Sequence, residues 1–397
     1  MSGDTRGAPG ARPVLSPLAW VIAATFFHFA SLYYLLPTLP FYVQHLGGTT
    51  YEVGLVVGVF ALASLLVRPL VGVWMDRAGR RGFLLVGAVI YVLASVGYLA
   101  IRSVPGLLFW RVFHAMGLAT FSTAAAALAG DLAPPRLRGS VMGLFGLAQA
   151  AALTVGPAVG LASLTTMGYP GLFLATAGTA FAALVFALAL PRDPLPGRKR
   201  VIGDSARRGA FFDTTAVPAG VQFGASVAYG TIVSFTALVA QERGLDVVGS
   251  FFALLAMSSL GSRLVAGRAY DTWGAAPVLA PALLVLAGGM ALLAVAGGPE
   301  LFLFAAVLAG LGIGTTHTTL IAHVVDHSGS DSRGSSVGAF TACWELGVAG
   351  GAILMGRLAE ASGFYAMFIA VTSLPLLGLG SLYWLGNRLP SRRDHAA

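Results

Sequence analysis

The sequence predicts an all-α membrane protein of twelve transmembrane helices in two pseudo-symmetric six-helix bundles, and three observations carry that expectation. Of 397 residues, 57% are hydrophobic and 10% charged, with a mean hydropathy of +0.82. That is more apolar surface than a water-soluble globule can hide, so lipid has to take the excess. The apolar residues gather in runs long enough to cross roughly 30 Å of hydrocarbon. Finally, the second half of the chain repeats the first at a constant offset of 195 residues.

Residues 1–16 are polar, rich in Pro and Gly, and read as a cytoplasmic tail. They lead straight into an apolar run longer than a signal-peptide core, so no cleavage is expected. Six runs follow, at 18–43, 53–75, 83–101, 106–129, 140–166 and 171–190, giving an N-terminal bundle over 17–190. Segment 191–214 is basic and turn-rich, as a linker between two bundles would be. Six further runs, at 217–240, 247–269, 277–296, 301–325, 335–359 and 365–385, make a C-terminal bundle over 215–386, with a tail at 387–397. A barrel is excluded by length, since its strands would be about 10 alternating residues each.

Charge sets the expected orientation. With the N-terminus inside, eighteen of the 24 Lys and Arg fall in cytoplasmic segments, and the opposite loops hold only Arg102 and Arg243. The positive-inside rule then places both termini in the cytoplasm. Lys199 is the only lysine, which with the Ala and Gly load points to a prokaryotic inner (plasma) membrane. The net charge of +8 is spread over short loops rather than gathered in a patch, so no nucleic-acid partner is expected. Cys343 is the sole cysteine and lies in an apolar run, leaving no disulfide and no cysteine-based metal site. No cofactor is implied, and no Gly-rich loop ends in Lys and Ser/Thr, so ATP drive within this chain is unsupported.

The repeat is written in polar and glycine positions, where chance hydrophobic agreement cannot help. Ser64, Arg68, Gly72, Asp76, Gly79 and Gly117 meet Ser259, Arg263, Gly267, Asp271, Gly274 and Gly312. Further on, Asp131, Arg138, Gly143 and Gly156 meet Asp326, Arg333, Gly338 and Gly351. An even number of spans in each copy gives parallel topology, related by an axis along the membrane normal. Two such bundles enclose a cavity at the bilayer midplane that rocking opens to alternate sides, which is a transport architecture.

The loop after the second span reads Gly72-Val-Trp-Met-Asp76-Arg77-Ala-Gly79-Arg80-Arg81. Its glycines permit a tight turn, and an Asp among arginines can bridge to a neighbouring loop. On this loop and its second copy the chain resembles the major facilitator superfamily, and more narrowly its drug:proton antiporter-like exporters, over all twelve spans. The resemblance implies a conformational latch in which Asp76 steadies the outward-facing state, and Asp131, beside Arg136 and Arg138, pairs with Arg77 or Arg80. The second copy keeps Asp271 but lacks the paired arginines, so its latch should be weaker.

The same resemblance links Arg111, followed by His114, to proton movement, and Gly156-Pro157-Ala-Val-Gly160 to antiport. An arginine in lipid costs about 2.5 to 3.5 kcal/mol, so Arg111 either faces the cavity or a partner, or snorkels outward. Proline and glycine in span five predict a kink and a close seam. Glu345 is the only acid deep within a span, where it can take up and release a proton or pair with an arginine. Many drug exporters carry an acid in span one, where this chain has His28.

His28, His114 and His317 are further proton-coupling candidates, each weighed against a packing role. Tyr34, Gln149, Gln222, Tyr229 and Trp344 are candidates to line the cavity. His323-Val-Val-Asp326-His327 is the best hint of a metalloenzyme, weakened because Asp326 is already the repeat partner of Asp131. The expected function is proton-coupled efflux of a small molecule by a monomer in lipid, not an enzyme reaction. The alternatives are an uptake symporter or uniporter, an intramembrane metalloenzyme, and a sensor that moves no solute.

Overall fold

The computed structural model describes residues 15–134, 137–191, 208–328 and 333–386, with side chains described within them except at 15–16, 76–77, 208–215, 333–335 and 383–386. The expected tail at 1–16 and basic linker at 191–214 fall largely outside this set, as does the tail at 387–397 and Arg136. The described chain is helical throughout: α1 (Leu15–His45), α2 (Thr50–Ala78), α3 (Arg80–Gly97), α4 (Val104–Leu132), α5 (Arg138–Leu188), α6 (Arg208–Glu242), α7 (Val248–Trp273), α8 (Ala275–Val295), α9 (Pro299–His327) and α10 (Arg333–Gly386). All ten are long and apolar enough to cross a membrane. Helix α6 begins at Arg208, inside the segment expected to be linker.

Ten helices stand where twelve separate runs were expected, because no loop intervenes at two of the junctions. Helices α5 and α10 have 51 and 54 residues, about 75 to 80 Å of helix at 1.5 Å per residue, roughly two and a half times the thickness of the hydrocarbon. Each is interrupted once, at Gly168 (φ 67°) and at Gly363 (φ 81°), in the left-handed region that glycine enters at no steric cost. These two glycines are 195 residues apart, so the break itself belongs to the repeat.

Helix starts are set by local chemistry. Thr49 and Glu52 form a capping box at α2, with Glu52 N donating to Thr49 Oγ1 (3.3 Å) and Thr49 N to Glu52 Oε2 (2.8 Å). Ser103 caps α4 through Gly106 N.

Packing follows the repeat closely. Helix α1 lies on α5 as α6 lies on α10, and α3 lies on α4 as α8 lies on α9. In the second of these pairs the same positions touch: a Cβ on Gly117 would press on the backbone of Tyr91, and one on Gly312 on that of Leu286. The repeats are joined chiefly by α2 with α10 and α5 with α7, and to a lesser extent by α6 with α1 and α2. The outer surface is apolar, with the repeat-related Phe109 and Phe304 exposed by 75% and 54%, as lipid rather than water would favour.

Candidate functional site

A cavity of about 730 Å³ lies between the repeats. Its wall is built from α1, α2, α4 and the first part of α5, and from their repeat counterparts α6, α7, α9 and the first part of α10. Most of the lining is aliphatic or aromatic, with Arg68, Arg111, Arg263, His317 and Glu345 as the members bearing a guanidinium, an imidazole or a carboxylate. Such a chamber suits a small solute with an apolar body and few polar groups.

One end of the chamber is shut. Gly54 and Gly58 of α2 lie so close to α10 that a Cβ on either would collide with Ala352 O or the Ile353 side chain. Gly356 faces Gly54 there, its own Cβ position 3.4 Å from Gly54 Cα. Beyond the glycines, Tyr51 N donates to Glu360 Oε2 at 2.8 Å, and the Arg357 guanidinium lies 5.6 Å from the Tyr51 ring centre. On the pseudo-symmetric side a Cβ on Gly249 of α7 would lie 3.5 Å from Ala158 of α5. At the other end the lining continues to Ala126, Met142, Gly143, Ile321 and Thr341, close to the turns that follow α4 and α9.

Glu345 reaches across the repeats. Arg68 Nη2 donates to Glu345 Oε1 at 3.1 Å, linking α2 to α10, and Arg68 Nε donates to Ser64 Oγ one turn away. The acid is thus held by Arg68, a residue that had marked only the repeat. Arg111 is 4% exposed and does not snorkel. Its Nε donates to Val56 O (3.2 Å), its Nη1 reaches Tyr98 Oη and His114 Nδ1, and its guanidinium lies 3.7 Å over the Phe60 ring.

The three candidate histidines have separate fates. His317 lines the chamber, 5.1 Å from Trp344 between ring centres, with Nδ1 3.2 Å from Gln222 Oε1. His114 sits behind the wall, where Nδ1 is 2.8 Å from Tyr98 Oη. His28 is fully buried, stacked on Phe121 at 3.9 Å and against Tyr91 at 4.0 Å. Neither His28 nor His114 is among the lining residues.

Of the expected lining residues, Gln149, Tyr229 and Trp344 face the chamber, and the Tyr229 and Trp344 rings pack at 5.2 Å. Gln222 is fully buried and instead joins His317 to Ser226. Tyr34 turns toward the core beside α5 while Tyr33 lines the chamber, because one residue rotates a helix face by about 100°. The span-five motif also faces α1: a Cβ on Gly156 would lie 2.6 Å from Tyr33 Cβ, and one on Gly160 would strike Tyr34 O, with Pro157 buried between them.

At the wider end, Arg80 pairs with Asp131 and donates to Ala127 O at 2.9 Å. Arg81 caps the end of α5 through Leu190 O (2.9 Å) and Leu188 O. The side chains of Asp76 and Arg77 lie outside those described, Gly72 and Gly79 have open space around them, and Arg138 and Asp271 are exposed. In the second copy, Tyr270 Oη donates to Asp326 Oδ2 at 3.0 Å. His327 Nδ1 lies 2.9 Å from His323 O, so the two histidines are engaged with the backbone and each other.

The arrangement has counterparts among known proteins. Over 361 residues the chain is 25% identical to an uncharacterised MFS-type transporter of Methanocaldococcus jannaschii, covering 88% of this chain and 92% of that one. It is 23% identical to the staphylopine export protein of Staphylococcus aureus over 83% of this chain and 86% of that one. In three dimensions it resembles a bacterial homologue of the human lysosomal transporter Spinster in an inward-facing, occupied conformation, with a TM-score of 0.76, 17% identity, and coverage of 96% and 98%. The sequence model of the Major Facilitator Superfamily matches residues 21–349 and 220–397. With a polar-studded chamber between two repeats in a multi-pass membrane protein, the chain belongs to that superfamily of transporters of small solutes.

Proposed function

We propose that this protein is a secondary active transporter that exports a small organic solute across an inner membrane in exchange for protons. In this reading α5 and α10 each count as two spans, giving twelve in two bundles of six, with both termini and the wide end of the chamber in the cytoplasm. The Asp131–Arg80 pair beside the Asp76 loop serves as the latch that biases one state. The relative named as an exporter, from Staphylococcus aureus, supports the outward direction.

The observation that carries the proposal is the Arg68–Glu345 pair, which joins the two repeats inside a chamber shut at one end. A carboxylate there holds α2 to α10 while it is charged; once protonated, it loses most of its attraction for Arg68 and frees the repeats to move. Proton uptake from the far side and release to the cytoplasm then tie each swing to one direction of proton flow. Binding energy for the solute only has to differ between the two states for the cycle to turn.

Solute flux in proteoliposomes under an imposed pH gradient tests this directly. Outward transport driven by an inward proton gradient, and lost in Glu345→Gln while passive exchange of solute persists, is the expected result. Uptake in the direction of proton flow would make the protein a symporter, and flux indifferent to the gradient in wild type would make it a uniporter.

A further inference from the structure

The chamber wall carries a pair of repeat-related arginines with unequal surroundings. Arg68 has Glu345 at 3.1 Å. Applying the offset of 195 to both members of that pair places Arg263 in α7 opposite position 150 in α5, and position 150 is Ala150. Both Arg263 and Ala150 line the chamber, and α5 and α7 pack together as α10 and α2 do. Among the described residues no carboxylate lies within ion-pair distance of Arg263, and its guanidinium makes no hydrogen bond. The groups around it are Tyr33, Tyr229 and His317, with Trp344 packed tilted against Tyr229 and edge-on to His317.

We infer that Arg263 is the anion-binding residue of the chamber and that the transported solute is an amphipathic organic anion, its carboxylate occupying the place that Ala150 leaves open. This deepens the transporter reading and rests on it. Three physical facts favour an anion. Glu345 already has its counter-ion, so a cationic solute would have to break the Arg68 pair, whereas an anion at Arg263 breaks nothing. The Arg263 guanidinium is exposed to the chamber with no protein acceptor, so an incoming carboxylate can pair with it directly. Arginine's planar fork also takes a carboxylate in two parallel hydrogen bonds. The aromatic rings of Tyr33, Tyr229 and Trp344 offer flat apolar faces for the solute body beside that fork.

The test uses the full chain in phosphatidylcholine nanodiscs, with 2-naphthoate, 2-naphthamide and 2-naphthylmethylammonium as probes of one shape and three charges. Binding is read from quenching of tryptophan fluorescence, and competition from 2-naphthoate inhibition of solute flux in proteoliposomes. The carboxylate alone should bind; Arg263→Gln should weaken it by about tenfold or more, and Arg263→Lys by less. Ala150→Glu, which restores the missing acid and leaves the arginine in place, should weaken it to a similar degree, so the result does not hang on one variant's folding. Equal or tighter binding of the ammonium, no binding of the carboxylate, or unchanged affinity in both Arg263→Gln and Ala150→Glu overturns the inference. Proton-driven flux of a cationic solute would likewise overturn it and leave the transporter reading intact. Charge-selective binding at Arg263 without flux of any solute would instead sink the transporter reading and leave the anion site standing.

Discussion

The two ends of the chamber are built from the same helices and are in opposite conditions. At the shut end α2 rests on α10 through Gly54, Gly58 and Gly356, and α7 rests on α5 at Gly249 and Ala158. At the wide end α5 and α10 again present glycines, Gly143 and its repeat mate Gly338, but a Cβ on either would meet nothing. Small residues are needed where helix backbones touch in lipid, since packing is what holds membrane helices together. At the wide end they serve no contact in this state. On the alternating-access reading proposed above, Gly143 and Gly338 would form the contact surface of a second state, in which that end is closed and the glycine seam at Gly54 is parted.

The largest effects should come from filling these seams. Gly54→Leu inserts a side chain where a single methyl already collides. Overpacking of about 1 to 3 kcal/mol would favour the parted seam by roughly 5- to 150-fold. Flux should fall by more than about tenfold, and a thiol reagent of the far side should gain access to a cysteine placed at Val57, measured as the rate of labelling. Gly338→Leu should do the converse: solute binding persists because this state is undisturbed, while turnover is lost, which equilibrium binding set against flux will separate.

Removing polar contacts should shift the balance of the two ends less than filling the seams does. Glu345→Gln loosens the Arg68 link between α2 and α10 midway along the chamber, and should leave the protein folded with proton coupling gone. Asp131→Asn removes a half-exposed pair with Arg80 worth about 0 to 1 kcal/mol, so the exchange rate should change by no more than about fivefold. Glu360→Gln removes the charge from the hydrogen bond with Tyr51 N and from an exposed pair with Arg357 (3.5 Å), and should give the smallest change, visible as slightly faster labelling at position 57.

How far these contrasts could be read from the sequence depends on distance along the chain. Apolar runs are local, and twelve were expected because lipid demands about 20 residues of them at a time, where the described residues form ten long apolar helices. That Gly168 and Gly363 break the helix without a loop was not visible in those runs, because hydropathy says nothing about backbone path. Glu345 stood out since an acid in an apolar span is costly, yet its partner lies 277 residues away and is chosen by helix phase. Phase also separates Tyr33 from Tyr34. Arg263 was visible only as half of a repeat pair; the signal behind the role inferred for it is the mismatch of Glu345 with Ala150 at the same offset. The close glycines at the shut end had no signal of their own, because Gly54 and Gly143 read alike until the helices are set beside each other.

The reciprocal motion of the two ends is measured most directly by spin-label distances in a Cys343→Ser background. One label pair at positions 50 and 361 spans the shut end, and another at 142 and 264 spans the wide end. Between acidic and alkaline pH, and with and without solute, the first distance should lengthen as the second shortens, with two populations exchanging weight. Two distances that hold constant under every condition, or that lengthen together, would contradict the account.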